Sequence, residues 1–481
     1  MSALDRRQFL VRTGQAAAAV GAASYLAGAD FEEAADAKTP NISGLRKVVK
    51  GKVYTKSTPG FAAERTVFNK RFAGQVPLAV VRASSAADVA ATIKWAAYYG
   101  VPIAARSGGH SYAGYSSPKG GVVVDLRSLH NIKLGSGGVA QIGAGNNLWS
   151  IYSTLSRKGK MIPGGSCPTV GIAGLALGGG MGLAARKYGL TLDNVKGVQV
   201  VTADGKVRNA SPKSNEDLYW ACRGGGGGNF GIATAFSIQT HAAPTCAWFY
   251  GSWSWSRAEE VLGAWLRFAP KSSASLTSLC TLLAGDPPKA TVFGQFFGTE
   301  AQLRKVLAPF LKDAPGGSVS YGTASYMNLV RKWAGCSSDA QCSAYAPEAF
   351  NAGSAYVAKP FSSAGLKAAT RAVERGGSLL FDGYGGAINN VSPSKTAFAH
   401  RNMLACIQYY ANGSGTSWLA AAKKDMKPYV SSSAYVNYID PTVKGYQTAY
   451  YGTNLTQLRK IKKKYDKNNL FRFKQSITPA S

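Results

Sequence analysis

A histidine and a cysteine, each set among glycines, are the residues of this 481-residue chain whose types and spacing point most directly to chemistry. His110 lies in Arg106-Ser-Gly-Gly-His-Ser-Tyr-Ala-Gly-Tyr-Ser-Ser117, directly after the apolar run Val101-Pro-Ile-Ala-Ala105. Gly108 and Gly109 clear side chains from a backbone that something large must approach, while Arg106, Ser107, Ser111 and Tyr112 carry donors suited to phosphate oxygens. Taken alone, the loop reads either as a turn that holds a cofactor or as a glycine-rich turn with a surface histidine. Cys167 lies in a second stretch, Pro163 to Gly182, which is too glycine-rich for a helix or a plain strand. Such a backbone can lie along a ligand and present its N–H groups as an anion-binding concavity. It matches neither a Walker loop nor a Rossmann fingerprint. A third run, Gly224-Gly-Gly-Gly-Gly-Asn-Phe-Gly231, leads into a strand at Ile232–Thr240, and Trp220 and Phe230 beside it argue for packing rather than a loose linker.

These loops need elements to hold them. Leu78–Arg82 reads as a strand, Ala86–Tyr99 as a helix through Val89, Ile93, Ala96 and Ala97, and Val101–Ala105 as a second strand, a β-α-β unit delivering the first loop. Ser84 and Ser85 are N-cap candidates and Gly100 a stop. Further strands are expected at 121–126 and 139–143, and a helix at Asn147–Lys158. Residues 245–425 interleave strand-like runs (Trp248–Trp255, Thr291–Phe297, Ser378–Gly383) with helix-like runs (Arg257–Phe268, Ala301–Phe310, Gly365–Glu374, Ser394–Arg401), which predicts an α+β unit with one antiparallel sheet covered by helices. A last helix at Asn454–Tyr465 belongs to a tail that docks back on the first part. The expected organisation is an address segment at 1–37, a cofactor domain at 38–243, a substrate domain at 244–425 and a returning segment at 426–481.

Composition bounds the partners. Fifty-five basic residues against 24 acidic give a net charge of +31, a field that attracts anionic surfaces such as cell wall without specifying one. The one basic run, Arg459–Lys464, reads as a solvated helix face, so nucleic acid is not an expected partner, nor is any metal site. Asp5-Arg-Arg-Gln-Phe-Leu10 followed by an alanine-rich core matches a twin-arginine export signal, with cleavage after Ala29 or Ala37. No other apolar run approaches the ~20 residues of a membrane span. Of seven cysteines, Cys336 and Cys342 could close a small disulfide loop, and Cys222, Cys246, Cys280 and Cys406 read as core residues.

In order along the chain, Arg-Ser-Gly-Gly-His-Ser-Tyr at 106–112, Cys-Pro-Thr-Val-Gly at 167–171, Gly-Gly-Gly-Met-Gly at 178–182, Leu-Asp-Asn at 192–194, Gly-Gly-Gly-Asn-Phe-Gly at 226–231, Tyr-Val-Asn-Tyr at 435–438 and Tyr-Tyr-Gly at 450–452 resemble the berberine-bridge-enzyme-like branch of the FAD-linked oxidases. The resemblance runs from about Pro77 to Ile477. It implies a two-part FAD-binding domain of the vanillyl-alcohol-oxidase type plus an α+β substrate domain. It also implies FAD attached twice, through His110 to the 8α position and through Cys167 to C6. A histidine nitrogen and a thiolate are both able to add to an electron-poor ring. The remaining cofactor-binding residues it implies are Arg106, Ser107, Gly108, Gly109, Ser111, Tyr112, Gly165, Thr169, Val170, Gly171, Gly174, Gly178, Gly179, Gly182, Gly231, Ile232 and Asn437.

By the same resemblance Tyr435 is the base that takes a hydroxyl proton, Asp382 in Phe-Asp-Gly-Tyr-Gly-Gly is the carboxylate that assists it, and Asn437 and Tyr438 position the flavin or the base. A tyrosine near pKa 10 needs such a partner to act as a base. Val170 matches the small residue of oxygen-reactive members, and Leu175 stands where many relatives carry a histidine near the flavin N1. The implied activity is an exported oxidase of a sugar or oligosaccharide hydroxyl, the anomeric one giving a lactone, with O2 reduced to H2O2. The alternatives are a tailoring oxidase of a glycosylated or polycyclic metabolite and, from another class, a non-catalytic protein that binds a polyanion or the cell wall.

Overall fold

The computed structural model describes residues 38–413 and 415–481, and the expected export signal at 1–37 lies outside them. No helix among the described residues is long and apolar enough to cross a membrane.

The β-α-β unit forms as its sequence dictates. Ser85 caps the helix Ala86–Tyr99 by accepting the Asp88 N–H, Val89, Ile93 and Ala96 are buried, and Gly100 ends the helix at φ +66°. The strands Ala79–Arg82 and Ile103–Arg106 run parallel on either side of Val122–Asp125, with Lys52–Tyr54 as an antiparallel edge. This small sheet aims the loop that carries His110. Beside it lies a five-stranded antiparallel sheet in the order Ile132–Leu134, Val139–Gly143, Ile232–Gln239, Val195–Val201, Val207–Ala210.

The middle of the chain builds one seven-stranded antiparallel sheet, in the order Ser318–Ala324, Cys246–Trp253, Lys289–Phe296, Leu276–Leu283, Ser378–Gly383, Ala405–Asn412, Phe350–Val357. On one face Cys280, Phe381, Ile407 and Tyr409 share a core with the helices Ala258–Phe268, Glu300–Asp313, Ser363–Glu374 and Ser417–Met426. Side chains alternate along a strand, so the opposite face receives Leu380 and Asp382 from one strand and Gln408 and Tyr410 from the next.

Three local expectations fail, for three different reasons. Ser394–Arg401 is irregular rather than helical: the carbonyls of Pro393, Thr396 and Ala397 accept from Asn454 and that of Ser394 from Trp220, so tertiary partners replace the helical ladder. The second glycine stretch does contain a short helix, Ile172–Gly178, whose alanines and leucines pack into the core it shares with Val81, Val122, Ile142 and Val198 of the two smaller sheets. Within the basic run, Lys462 is fully buried. Its ammonium donates to the carbonyls of Asn229 (2.7 Å) and Phe471 (2.6 Å) and pairs with Asp466 (2.7 Å), which ties the third glycine run to the returning tail. Cys336 and Cys342 form the disulfide.

Candidate active site

The first two glycine loops meet each other before they meet anything else. A Cβ on Gly108 would lie 2.3 Å from the Gly171 nitrogen, and one on Gly171 would lie 2.2 Å from the Gly108 nitrogen. What approaches Gly108 so closely is therefore the second loop, and the pair clamps the His110 and Cys167 segments together. Gly109 is required for its own backbone, at φ +70°. Among the described residues, the backbone N–H groups of Gly108, Gly109, His110 and Ser111 meet no protein acceptor, leaving a run of donors suited to an anion.

The clamp places the side chains of His110 and Cys167 around one hydroxyl. His110 Nε2 lies 3.0 Å from Thr169 Oγ1, and Cys167 Sγ lies 4.0 Å from the same oxygen. The imidazole stacks on Phe68 at 3.9 Å. Burial holds its pKa down to about 3, against a smaller opposing pull from the Thr169 backbone, so the ring is neutral at physiological pH.

Both side chains line a cavity of about 840 Å³ between the glycine loops and the free face of the large sheet. Ser107, Gly108, Gly109, Ser111, Tyr112, Gly165, Val170, Gly171, Gly174, Gly182, Gly231, Ile232 and Asn437 line it as well. Gly174 and Gly227 are exposed into it, and a Cβ on Gly174 would meet nothing within 4 Å. Four expected residues stand behind the wall. Arg106 is buried against Asp125 at 2.7 Å, in a network with Arg127 and Glu64, so its guanidinium is committed to a carboxylate and not to a phosphate. Thr169 holds His110, and Gly178 and Gly179 make room for Asn437 and Tyr435. Leu175 lines the cavity, and its carbonyl accepts from Asn437 at 3.0 Å.

The expected pairing of Tyr435 with Asp382 is not what the structure contains. The Tyr435 hydroxyl accepts from the Gly180 N–H at 2.8 Å and from Asn437 Nδ2 at 3.0 Å, so both its lone pairs are engaged. Its side chain is buried, and burial raises its pKa even though the Gly180 N–H opposes the shift. Asp382 instead accepts from the Tyr438 hydroxyl, at 3.2 Å. Tyr438 is half-buried, lines the cavity, stacks on Tyr112 at 5.5 Å and crosses Tyr435 edge-on at 5.0 Å. Two residues separate these tyrosines in sequence, and one turn of 3-10 helix, Val436–Tyr438, sends their hydroxyls to different partners.

Around Tyr438 the sheet adds groups that the sequence reading did not single out. Gln408 donates to the Tyr112 hydroxyl at 2.7 Å, and the Tyr410 hydroxyl donates to Glu348 at 2.8 Å, where burial and the nearby carboxylate push the Tyr410 pKa up. Gln408 and Tyr410 share one face of a strand, so period-two alternation was the signal available for them. Asp382 and Glu348 are the carboxylates among the lining residues, whereas the basic ones other than His110 are Lys119, Arg472 and Lys474, which come from the loops and the tail.

Comparison with known proteins agrees with this construction. A model of the FAD binding domain matches residues 77–211, and one described as berberine and berberine like matches residues 434–478. A FAD-linked oxidoreductase of Bacillus subtilis is 30% identical over 445 residues, covering 89% of this chain and 97% of its own length. The chain belongs to the berberine-bridge-enzyme-like FAD-linked oxidoreductases. Within this family it is also similar to the chitooligosaccharide oxidase of Gibberella zeae, at 33% identity over 447 residues covering 86% of this chain and 90% of that one. Among solved structures, the Physcomitrella patens BBE-like 1 protein superposes with a TM-score of 0.87 at 32% identity, covering 92% of this chain and 99% of that chain. FAD is the cofactor that the family match assigns, and the residues present fit it: a long cavity walled by bare glycine backbone, with unpaired N–H donors beside a histidine and a thiol.

Proposed function

We propose that this FAD-linked oxidoreductase is an exported oxidase that removes two hydrogens from a CH–OH group of a sugar or oligosaccharide, and that the preferred group is the anomeric one, giving a lactone. The observation that carries the reading is the hydrogen bond from Tyr438 to Asp382 inside the cofactor cavity. Export by the twin-arginine route and association of the strongly basic chain with anionic cell wall belong to the same proposal, as does the division into segments 38–243, 244–425 and 426–481.

His110 and Cys167 would hold the FAD covalently. The 108–111 backbone would receive its pyrophosphate, and the stretches at 165–182 and 227–232 would lie along its length. The chemistry that FAD would supply when bound there is acceptance of the hydride and two-electron reduction of O2 to H2O2. The chain's own part is proton handling. Tyr438 takes the substrate hydroxyl proton as its own proton moves to Asp382 Oδ2, which places the base between substrate and carboxylate. Tyr435, with its lone pairs already engaged, holds Asn437 and the Gly180 backbone in place. Tyr112, Gln408, Tyr410 and Glu348 offer ring faces and polar atoms to a sugar. Val170 in the lining supports reaction with O2.

A second reading rests on Leu279 and Leu380. They flank Asp382 across and along the sheet and line the same cavity, which favours a substrate with an apolar portion, such as a glycosylated or polycyclic metabolite. Peroxide release across a panel of mono- and oligosaccharides tests the main reading. Turnover of sugars supports it, whereas flavin-loaded protein that oxidises none of them while oxidising an apolar alcohol overturns it in favour of the second.

A further inference from the structure

The hydroxyl of Thr169 has a place that packing alone does not require. It lies behind the cavity wall, 3.0 Å from Nε2 of His110 and 4.0 Å from the sulfur of Cys167, so one oxygen touches both residues that would bond the flavin. The His110 ring is held flat against Phe68 and meets the Thr169 hydroxyl at Nε2, so a lone pair for attack stands at Nδ1 when Nε2 carries the proton. A threonine hydroxyl has one proton to donate and lone pairs to accept with. It can therefore accept the Nε2–H of a neutral imidazole and donate its own proton to a thiolate, satisfying both nucleophiles in their reactive forms.

We propose that Thr169 is the positioning residue for both flavin attachments: it fixes His110 as the tautomer with its lone pair on Nδ1 and holds Cys167 as a hydrogen-bonded thiolate. This rests on the double attachment proposed above. In each attachment one C–H bond of the flavin (at the 8α methyl or at C6) is replaced by a C–N or C–S bond, and the protein gives up one proton, from Nε2 of the imidazole after attack or from the thiol as it ionises before attack. The two hydrogens lost leave as two protons and two electrons. The electrons reduce the flavin, and O2 then reoxidises it, yielding H2O2. Thr169 changes only the protonation and orientation of the attacking atoms, so its loss should leave non-covalent binding intact.

The test is the covalent flavin content of full-length wild type, Thr169→Val, Thr169→Ala and Thr169→Ser, purified with FAD and followed over time. Acid-denatured protein is read by intact mass, and the His110 and Cys167 peptides are mapped for flavin. The expected result is a wild type with flavin on both peptides, Val and Ala variants that are folded and yellow but attach flavin about tenfold more slowly at both residues, and a Ser variant near wild type. Either the Val or the Ala variant serves if the other does not fold. Attachment at the wild-type rate in a folded Val or Ala variant, or a Ser variant as slow as Ala, overturns the inference while leaving double attachment standing. A wild type lacking flavin on either peptide overturns the double attachment itself, and the role of Thr169 falls with it.

Discussion

The two walls of the cavity are built on opposite principles. On the cofactor side, residues 107–111, 165–182 and 227–231 present backbone, with glycines whose added Cβ atoms would strike a neighbouring loop or project into the cavity. On the facing side the large sheet presents side chains: Leu279, Leu380, Asp382, Gln408 and Tyr410. A backbone wall tolerates few substitutions but needs no particular side-chain chemistry to recognise a long, uniform cofactor. A side-chain wall can change its specificity one residue at a time while its strands stay in register.

The largest expected effect comes from the backbone wall, and two glycines, Gly108 two residues before His110 and Gly174 seven after Cys167, separate its two tasks. Gly108→Ala forces a Cβ to within 2.3 Å of the Gly171 backbone, a clash that no rotamer relieves, and should cost about 3 kcal/mol or more in urea unfolding together with loss of flavin. Gly174→Ala projects into open cavity from within a helix, so the folded chain should keep its stability while the flavin-to-protein absorbance ratio falls. Equal destabilisation by both changes would break the distinction between a clamp and a cradle.

On the side-chain wall, Asp382→Asn should leave a yellow, folded protein whose reduction by substrate is slowed by a factor of about 10² to 10⁴, read by anaerobic stopped flow. Leu380→Gln should raise kcat/KM for an oligosaccharide by up to about tenfold if the added amide finds a substrate hydroxyl, and lower it for an apolar alcohol. The reverse ordering would favour the second reading of the substrate.

An effect confined to stability below neutral pH is expected at the seam between the walls, where His400 packs on Tyr356 of the sheet and bonds the Tyr450 carbonyl of the returning tail. Burial holds its pKa to about 4, below the ordinary 6.5, so between those values the unfolded chain binds a proton that the folded chain does not. Stability should therefore fall as pH drops through this window, by up to about 3 kcal/mol from this group. His400→Gln should flatten the fall between pH 7 and 4.5 in urea titrations.

The contrast between the walls also explains how much could be read from the sequence. Glycine runs around His110 and Cys167 are visible in one dimension because backbone approach leaves a compositional mark, and the β-α-β unit behind them carries caps and helical period in plain view. The sheet face was harder. Phe350–Val357 is buried throughout its length, so the alternation that would separate its faces is absent. Asp382 was legible as a carboxylate of interest, but its partner was not, because Tyr435 and Tyr438 differ only in which way a single 3-10 turn sends each hydroxyl. Arg106 misled for a related reason: its partner Asp125 is adjacent only through strand pairing.

The central claim is that proton removal belongs to Tyr438 with Asp382 and not to Tyr435. Anaerobic flavin reduction by substrate, compared in Tyr438→Phe and Tyr435→Phe at equal flavin content, tests it most directly. The account predicts that Tyr438→Phe loses a factor of about 10² to 10⁴ while Tyr435→Phe stays within about tenfold of wild type. Near-normal reduction in Tyr438→Phe, with the large loss in Tyr435→Phe, would contradict it.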